Sequence, residues 1–107
     1  MINKRLFINI IFFILFVSNL FVYVYSHEMA HEMISKYHGC VESEIGFNLF
    51  FAYQICNEYQ DRSDEVALQE EYLHSLHEIV SYNFLAIIIM FYFLTFVLIN
   101  TIFLVKT

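Results

Sequence analysis

Proline and tryptophan are absent from this chain, and glycine occurs only at Gly39 and Gly46. Proline removes a helix donor and clashes with the preceding turn, and glycine is the other common breaker. Their scarcity permits long uninterrupted helices nearly everywhere. Basic residues are scarce as well. Lys4 and Arg5 stand at one end and Lys106 at the other, with only Lys36 and Arg62 between them. No basic patch can form, which excludes nucleic acid as a partner. Charge of either sign is missing from two runs, residues 6–25 (LFINIIFFILFVSNLFVYVY) and residues 81–105 (SYNFLAIIIMFYFLTFVLINTIFLV). The 107 residues suffice for one small domain, and 60% hydrophobic with 20% aromatic is too apolar for an ordinary soluble one.

About 20 uncharged residues cross a bilayer core of about 30 Å, so both runs read as transmembrane helices and the lipid bilayer becomes the first expected partner. The lysine and arginine flanks place both termini on the cytoplasmic side. The segment between the spans then faces the extracytoplasmic side. It holds all eleven acidic residues, from Glu28 to Glu78, against Lys36 and Arg62 alone, a net charge of about −9. MINKR followed by apolar residues also fits a secretory signal, with Val24-Tyr25-Ser26 as a tolerable cleavage site. The run exceeds the roughly 7 to 15 residues of a signal core, and an uncleaved span is the expected reading.

Residues 26–38 contain no breaker and should continue the first helix to a stop at Gly39. Residues 45–55, IGFNLFFAYQI, alternate with the period of a strand. Residues 57–63 are polar and read as a loop, after which Ser63 or Asp64 caps a helix that nothing interrupts up to Val105. The expected fold is mainly α, a single membrane domain over residues 1–107. Two long antiparallel helices, one from residue 6 to 38 and one from 64 to 105, form a transmembrane hairpin with an outward-facing strand and loop cap at 39–63. Cys40 and Cys56 flank the strand. In an oxidising compartment they can pair and tie its ends, or they can stay as two thiols.

Against this background residues 27–31, His-Glu-Met-Ala-His, stand out. Residues four apart share a helix face about 6 Å apart, so His27 and His31 can turn ring nitrogens toward one metal ion, with Glu28 about 100° round the helix beside it. Catalytic zinc usually takes three protein ligands and keeps one position open. The second helix offers the third. Glu78 lies about three residues outside its span and His27 about two outside the first, so across an antiparallel hairpin they meet at one level, and one turn further out His31 meets His74. Tyr82 continues that face at the membrane boundary, whereas His77 should point elsewhere. Glu65, Glu70 and Glu71 read as a solvated helix face, His38 as a C-terminal residue favoured by the helix dipole, and Asn19, Asn83 and Asn100 as interhelical hydrogen-bonding groups.

HEMAH matches the His-Glu-x-x-His signature of the zincin metallopeptidases. HEIVSY, with Glu78 followed by Ser81, resembles the second-helix signature of the gluzincins, where a Glu is the third zinc ligand. Thermolysin-like members carry Asn-Glu-x-x-Ser-Asp there, and this chain has His77 and Tyr82 in the Asn and Asp positions. The site-two intramembrane proteases share the first-helix signature and a glycine twelve residues after the first His, as Gly39 is here. Their third ligand is an Asp in a later span, and residues 81–105 contain no acid. More broadly the chain resembles small membrane proteins with a zincin motif followed by an Asn-Glu or His-Glu segment. The resemblance covers about 25 residues. It implies a zinc ion (Zn2+) held by His27, His31 and Glu78, with Glu28 as general base and His74 or Tyr82 as oxyanion partners. By analogy the 45–55 strand would offer an edge for a peptide substrate.

The expected function is a membrane-anchored, zinc-dependent metallopeptidase acting on a peptide or protein substrate near the outer membrane face. The alternative is a non-catalytic metal-binding or structural membrane protein or subunit. Two spans enclose a site poorly, so a homodimer is compatible with either reading.

Overall fold

The structure, a computed structural model, describes residues 3–48 and 51–106. The elements run α1 (Lys4–Tyr37), β1 (Cys40–Phe47), β2 (Ala52–Tyr59) and α2 (Asp64–Lys106). With no breaker inside them, α1 reaches 34 residues and α2 reaches 43. Both are long and apolar enough to cross a membrane, by length and composition. Gly39 ends α1 as expected, at a φ of +100°. A Cβ there would meet nothing nearer than Arg62 Cδ at 3.8 Å, so backbone conformation rather than crowding demands glycine. Arg62 Nη1 donates to the His38 carbonyl at 2.9 Å and so satisfies one of the groups that a helix end leaves open. Ser63 caps α2: its Oγ accepts from Val66 N–H at 3.3 Å, and Asp64 and Glu65 complement the positive helix end.

The cap corrects the sequence reading. In place of one strand over 45–55 there is a two-stranded antiparallel hairpin, with Phe47 opposite Ala52 and Ser43 opposite Cys56. Leu49 and Phe50, inside the expected strand, lie outside the described residues. Beside them Asn48 N–H donates to the Phe51 carbonyl at 2.6 Å. Alternation of period two runs straight through so short a turn, and the two arms therefore read as one strand. The expected polar loop at 57–63 also begins later, because β2 continues to Tyr59 by pairing with Cys40 and Glu42. Gly46 faces Tyr53, whose ring occupies the space a Cβ at 46 would need. Cys40 and Cys56 form a disulfide with Cα atoms 6.0 Å apart, and it joins the two arms of the hairpin.

The chain divides into two compact units, Met1–Phe21 with Asn83–Thr107, and Val22–Tyr82. In the first, Phe12 and Phe16 pack on Tyr92 with ring centroids 5.5 and 5.0 Å away. Asn9 and Asn100 exchange amide hydrogen bonds of 3.1 Å in both directions, and Asn19 donates to the Tyr92 hydroxyl. In the second unit the interior is polar. His31, Ser35, His38, Glu70 and Ser81 are buried there, and the disulfide's Cys40 is the one buried hydrophobic residue among those described.

Candidate metal centre

Spacing of four residues brings His27, His31 and Ser35 onto one face of α1, and spacings of four, three and four bring Glu70, His74, His77 and Ser81 onto the facing side of α2. The two rows interlock in the depth order expected. His27 Nε2 lies 2.9 Å from Glu78 Oε1, His31 Nε2 lies 2.5 Å from the same oxygen, and the two histidine nitrogens are 3.1 Å apart. One turn along, His31 Nδ1 lies 2.6 Å from His74 Nδ1. Three donor atoms thus close a triangle. A tetrahedral ion with bonds of about 2.0 to 2.1 Å would hold two ligands roughly 3.3 Å apart, so the triangle is slightly tighter than a zinc site and of the right kind. Protons satisfy this triangle poorly. If both imidazoles donate to Glu78 their hydrogens crowd each other, and if one does not, its lone pair faces a carboxylate. The donor set therefore fits a cation.

The ring nitrogens of His27, His31 and His77 also lie within 4.8 Å of one another, so three histidines could share an ion. This places His77 in the cluster, against the expectation that it points away. Glu78 Oε1 stands against both imidazoles, at 2.9 and 2.5 Å. His77 stacks on His27, with centroids 4.5 Å apart and planes 23° from parallel. Its Nε2 donates to the His27 carbonyl at 3.2 Å, and Ser81 Oγ stands 3.4 Å from its Nδ1. The residue sits one position, about 100°, from Glu78, and both flanks of that wedge face α1.

Burial and charge act together on the titrating groups. For His31, desolvation disfavours the imidazolium and outweighs the pull of Glu78, so its pKa falls below the ordinary value. The neutral ring that results is the form a metal binds. For Glu78, burial alone would raise the pKa, but the His31 and His27 imidazoles against its Oε1 outweigh it and hold the carboxylate low. Glu28 goes the other way. Burial raises its pKa, His27 opposes, and nearby Glu78 adds to the rise. Glu28, His31, His74 and Glu78 line a cleft of about 400 Å³ together with Ala52, Tyr53 and Gln54 of β2. The strand that the sequence suggested as a substrate edge therefore forms one wall.

His74 has both ring nitrogens engaged, Nδ1 with His31 and Nε2 with Glu70 Oε1 at 3.2 Å and Ser35 Oγ at 3.3 Å. Tyr82 is 66% exposed, with its ring centroid 6.5 Å from that of His27 and outside the cleft lining. The residue that sequence reasoning missed is Glu70. Expected on a solvated face, it is buried at 4% exposure. Tyr59 donates to its Oε1 at 2.7 Å and Arg62 to its Oε2, while the Arg62 guanidinium lies 3.8 Å over the Tyr59 ring. Burial alone would raise the Glu70 pKa, but bonds from Arg62, Tyr59, Ser35 and His74 bring it down to about 2. A signal was available, since Glu70 stands four residues from His74, which stands four from Glu78. Comparison with protein-family models, curated proteins and solved structures returned no match for this chain.

Proposed function

We propose that this chain is a membrane-anchored zinc metallopeptidase of gluzincin character, which hydrolyses a peptide or protein substrate near the outer membrane face. The observation that carries the reading is the convergence of His27 Nε2, His31 Nε2 and Glu78 Oε1 at 2.5 to 3.1 Å beside Glu28. Two further features support it. The cleft has a strand for one wall, and a strand can hold an extended peptide by main-chain hydrogen bonds. The Cys40–Cys56 disulfide suits an oxidising compartment, in agreement with residues 26–80 lying outside the cytoplasm between spans at 6–25 and 81–105.

His27, His31 and Glu78 would hold the ion. Zinc supplies Lewis acidity there, making a water acidic near neutral pH and polarising a peptide carbonyl. Glu28, its pKa raised by burial, accepts a proton from water in the cleft and passes it to the departing amine. His31, kept neutral by the same burial, offers a lone pair rather than a charge. Tyr53 and Gln54 border the space a substrate would occupy.

The test is metal content and peptide turnover of the detergent-purified chain, wild type beside Glu28→Gln and Glu78→Ala. The expected result is about one zinc per chain in wild type and in Glu28→Gln, with turnover in the variant lower by roughly 10²- to 10⁴-fold. Glu78→Ala should lose the ion. Zinc without turnover in the wild type would favour a non-catalytic metal-binding protein, and absence of zinc after reconstitution would sink the reading.

A further inference from the structure

We propose that the turn end of the β1–β2 hairpin, flanked by Phe47 and Phe51, dips into the bilayer interface at the outer end of the first span, so that its partner is a lipid surface and the β2 wall of the cleft is anchored there. The inference rests on the reading of residues 6–25 and 81–105 as spans. It goes beyond the peptidase reading, since it needs no metal and no turnover.

The hairpin runs back along α1. β1 begins at Cys40, just after α1 ends at Tyr37. Seven strand steps of about 3.3 Å carry it about 23 Å to Phe47. Twelve helical steps of about 1.5 Å, about 18 Å in all, separate Tyr37 from Tyr25. The two lengths match closely enough for Phe47 to stack on Tyr25, with ring centroids 5.9 Å apart and planes 10° from parallel. The return arm fits the same descent, because Ala52, Tyr53 and Gln54 line the cleft together with Glu28 and His31, the next turns of α1. Tyr25 is the last residue of the uncharged run 6–25, and tyrosine is favoured where a span meets water. Phe47 therefore lies at the depth of the interface.

The chemistry of the hairpin changes along its length. Residues 45–57 carry no charge. Phe47 is 51% exposed and Phe51 is 72% exposed, on either side of the turn that the Asn48 N–H closes on the Phe51 carbonyl. The carboxylates gather at the other end, where Glu42 stands opposite Glu58 and Glu44 opposite Ile55, all three acids exposed. A strand laid on a core separates apolar from charged residues by face, with a period of two. Separation by depth is what an interface selects: the phenylalanines leave water and the carboxylates stay in it. Ala52 follows Phe51 directly, so anchoring the turn also fixes the strand that walls the cleft.

The experiment uses the full, metal-free chain with its disulfide intact, isotope-labelled, in phosphatidylcholine nanodiscs. Nuclear magnetic resonance line broadening is read with two probes, a phosphatidylcholine spin-labelled near the top of its acyl chain and a water-soluble gadolinium chelate. The lipid probe should broaden the Phe47 and Phe51 amides most, with a decline through Glu44 to Glu42 and Glu58. The chelate should give the reverse order and leave Phe13, inside the uncharged run, untouched. Phe51→Glu puts a charge at the turn and should abolish its lipid broadening while Phe13 stays shielded. Equal broadening of Phe47, Phe51 and Glu42 by the chelate in the wild type, with Phe13 shielded, would overturn the proposal and leave the spans standing. Protection of the turn from both probes would mean that protein covers it, and would overturn the proposal too. Lipid broadening unchanged in Phe51→Glu would mean that Tyr25 alone holds the turn, and would remove lipid as its partner. Phe13 reached by the chelate would sink the spans and this inference with them. The wild-type spectra decide alone if the variant does not fold.

Discussion

The two units of this protein use one pair of helices in opposite ways. In the unit formed by residues 1–21 and 83–107, no described residue is buried, and Phe13, Phe21, Phe91 and Phe93 are all more than 60% exposed. Asn9 pairs there with Asn100, and Asn19 with Tyr92. In the unit formed by residues 22–82 the buried positions are His31, Ser35, His38, Glu70 and Ser81, with the disulfide's Cys40. Hydrophobic packing ordinarily supplies the inside of a fold, and buried polar groups cost free energy unless they are bonded. A layer of histidines, a carboxylate and serines at the inner face is thus poor at holding helices together. Such a layer makes sense as a site, and the disulfide and the Arg62–Glu70–Tyr59 cluster supply the stability it does not.

The sharpest way to break the contrast is to make the second unit resemble the first. His31→Leu replaces one of the proposed zinc ligands by an apolar residue of the kind found elsewhere on α1. Zinc affinity should fall by more than about 100-fold, and helical circular dichroism should stay close to wild type, since breaking a ligand removes the site and not the apolar helices. A variant that kept its zinc would remove His31 from the site. Next in size is the disulfide. Cys40→Ser with Cys56→Ser frees a closure across 16 residues and should cost about 3 kcal/mol. The loss should appear in hydrogen exchange of β1 and β2, while the amides of the 1–21 and 83–107 unit stay protected; uniform loss of protection would show that the two units are not separable.

Glu70 gives a smaller, pH-dependent effect. Its folded pKa is about 2, below the ordinary value of 4.5, so its contribution is fully present above pH 4.5 and is lost as pH falls toward 2. The contribution should be on the order of 1–2 kcal/mol once solvent screening is allowed for, and Glu70→Gln should flatten that part of the stability profile. An unaltered profile in the variant would mean that other carboxylates carry the acid sensitivity. The smallest effect belongs to the other unit. Asn100→Leu removes the amide exchange with Asn9 and, if these helices lie in a bilayer as proposed, should change stability by about 0.6 kcal/mol. A loss several times larger, measured by unfolding in detergent, would mean that this unit too depends on a polar interior.

Much of the site was legible because helices are periodic. HEMAH places two imidazoles on one face by its spacing alone, and counting outward from the outer ends of two uncharged runs set His27 beside Glu78 and His31 beside His74. The hairpin was partly legible: alternation revealed extended chain but could not show where it turned, because the period passes through Asn48 unchanged. Glu70 and His77 were misread for one shared reason. A sequence gives the angular position of a residue on its own helix, while burial depends on what stands opposite. Glu70 becomes an interior carboxylate only because Tyr59 and Arg62, at the end of β2 and in the loop after it, close on it beside His74 of its own helix.

The sequence by itself determined that two long helices exist, where the first one stops, and that two histidines and a glutamate share a short helical segment. These follow from local rules: the absence of breakers, the freedom of Gly39 at positive φ, and a repeat of 3.6 residues per turn. Only the tertiary structure decided that His77 joins those histidines, which acid lies behind them, and which strand walls the cleft. Those choices depend on distances of 2.5 to 3.2 Å between residues more than 40 positions apart, or on a bond pattern closed by a hairpin whose turn leaves no mark in the alternation.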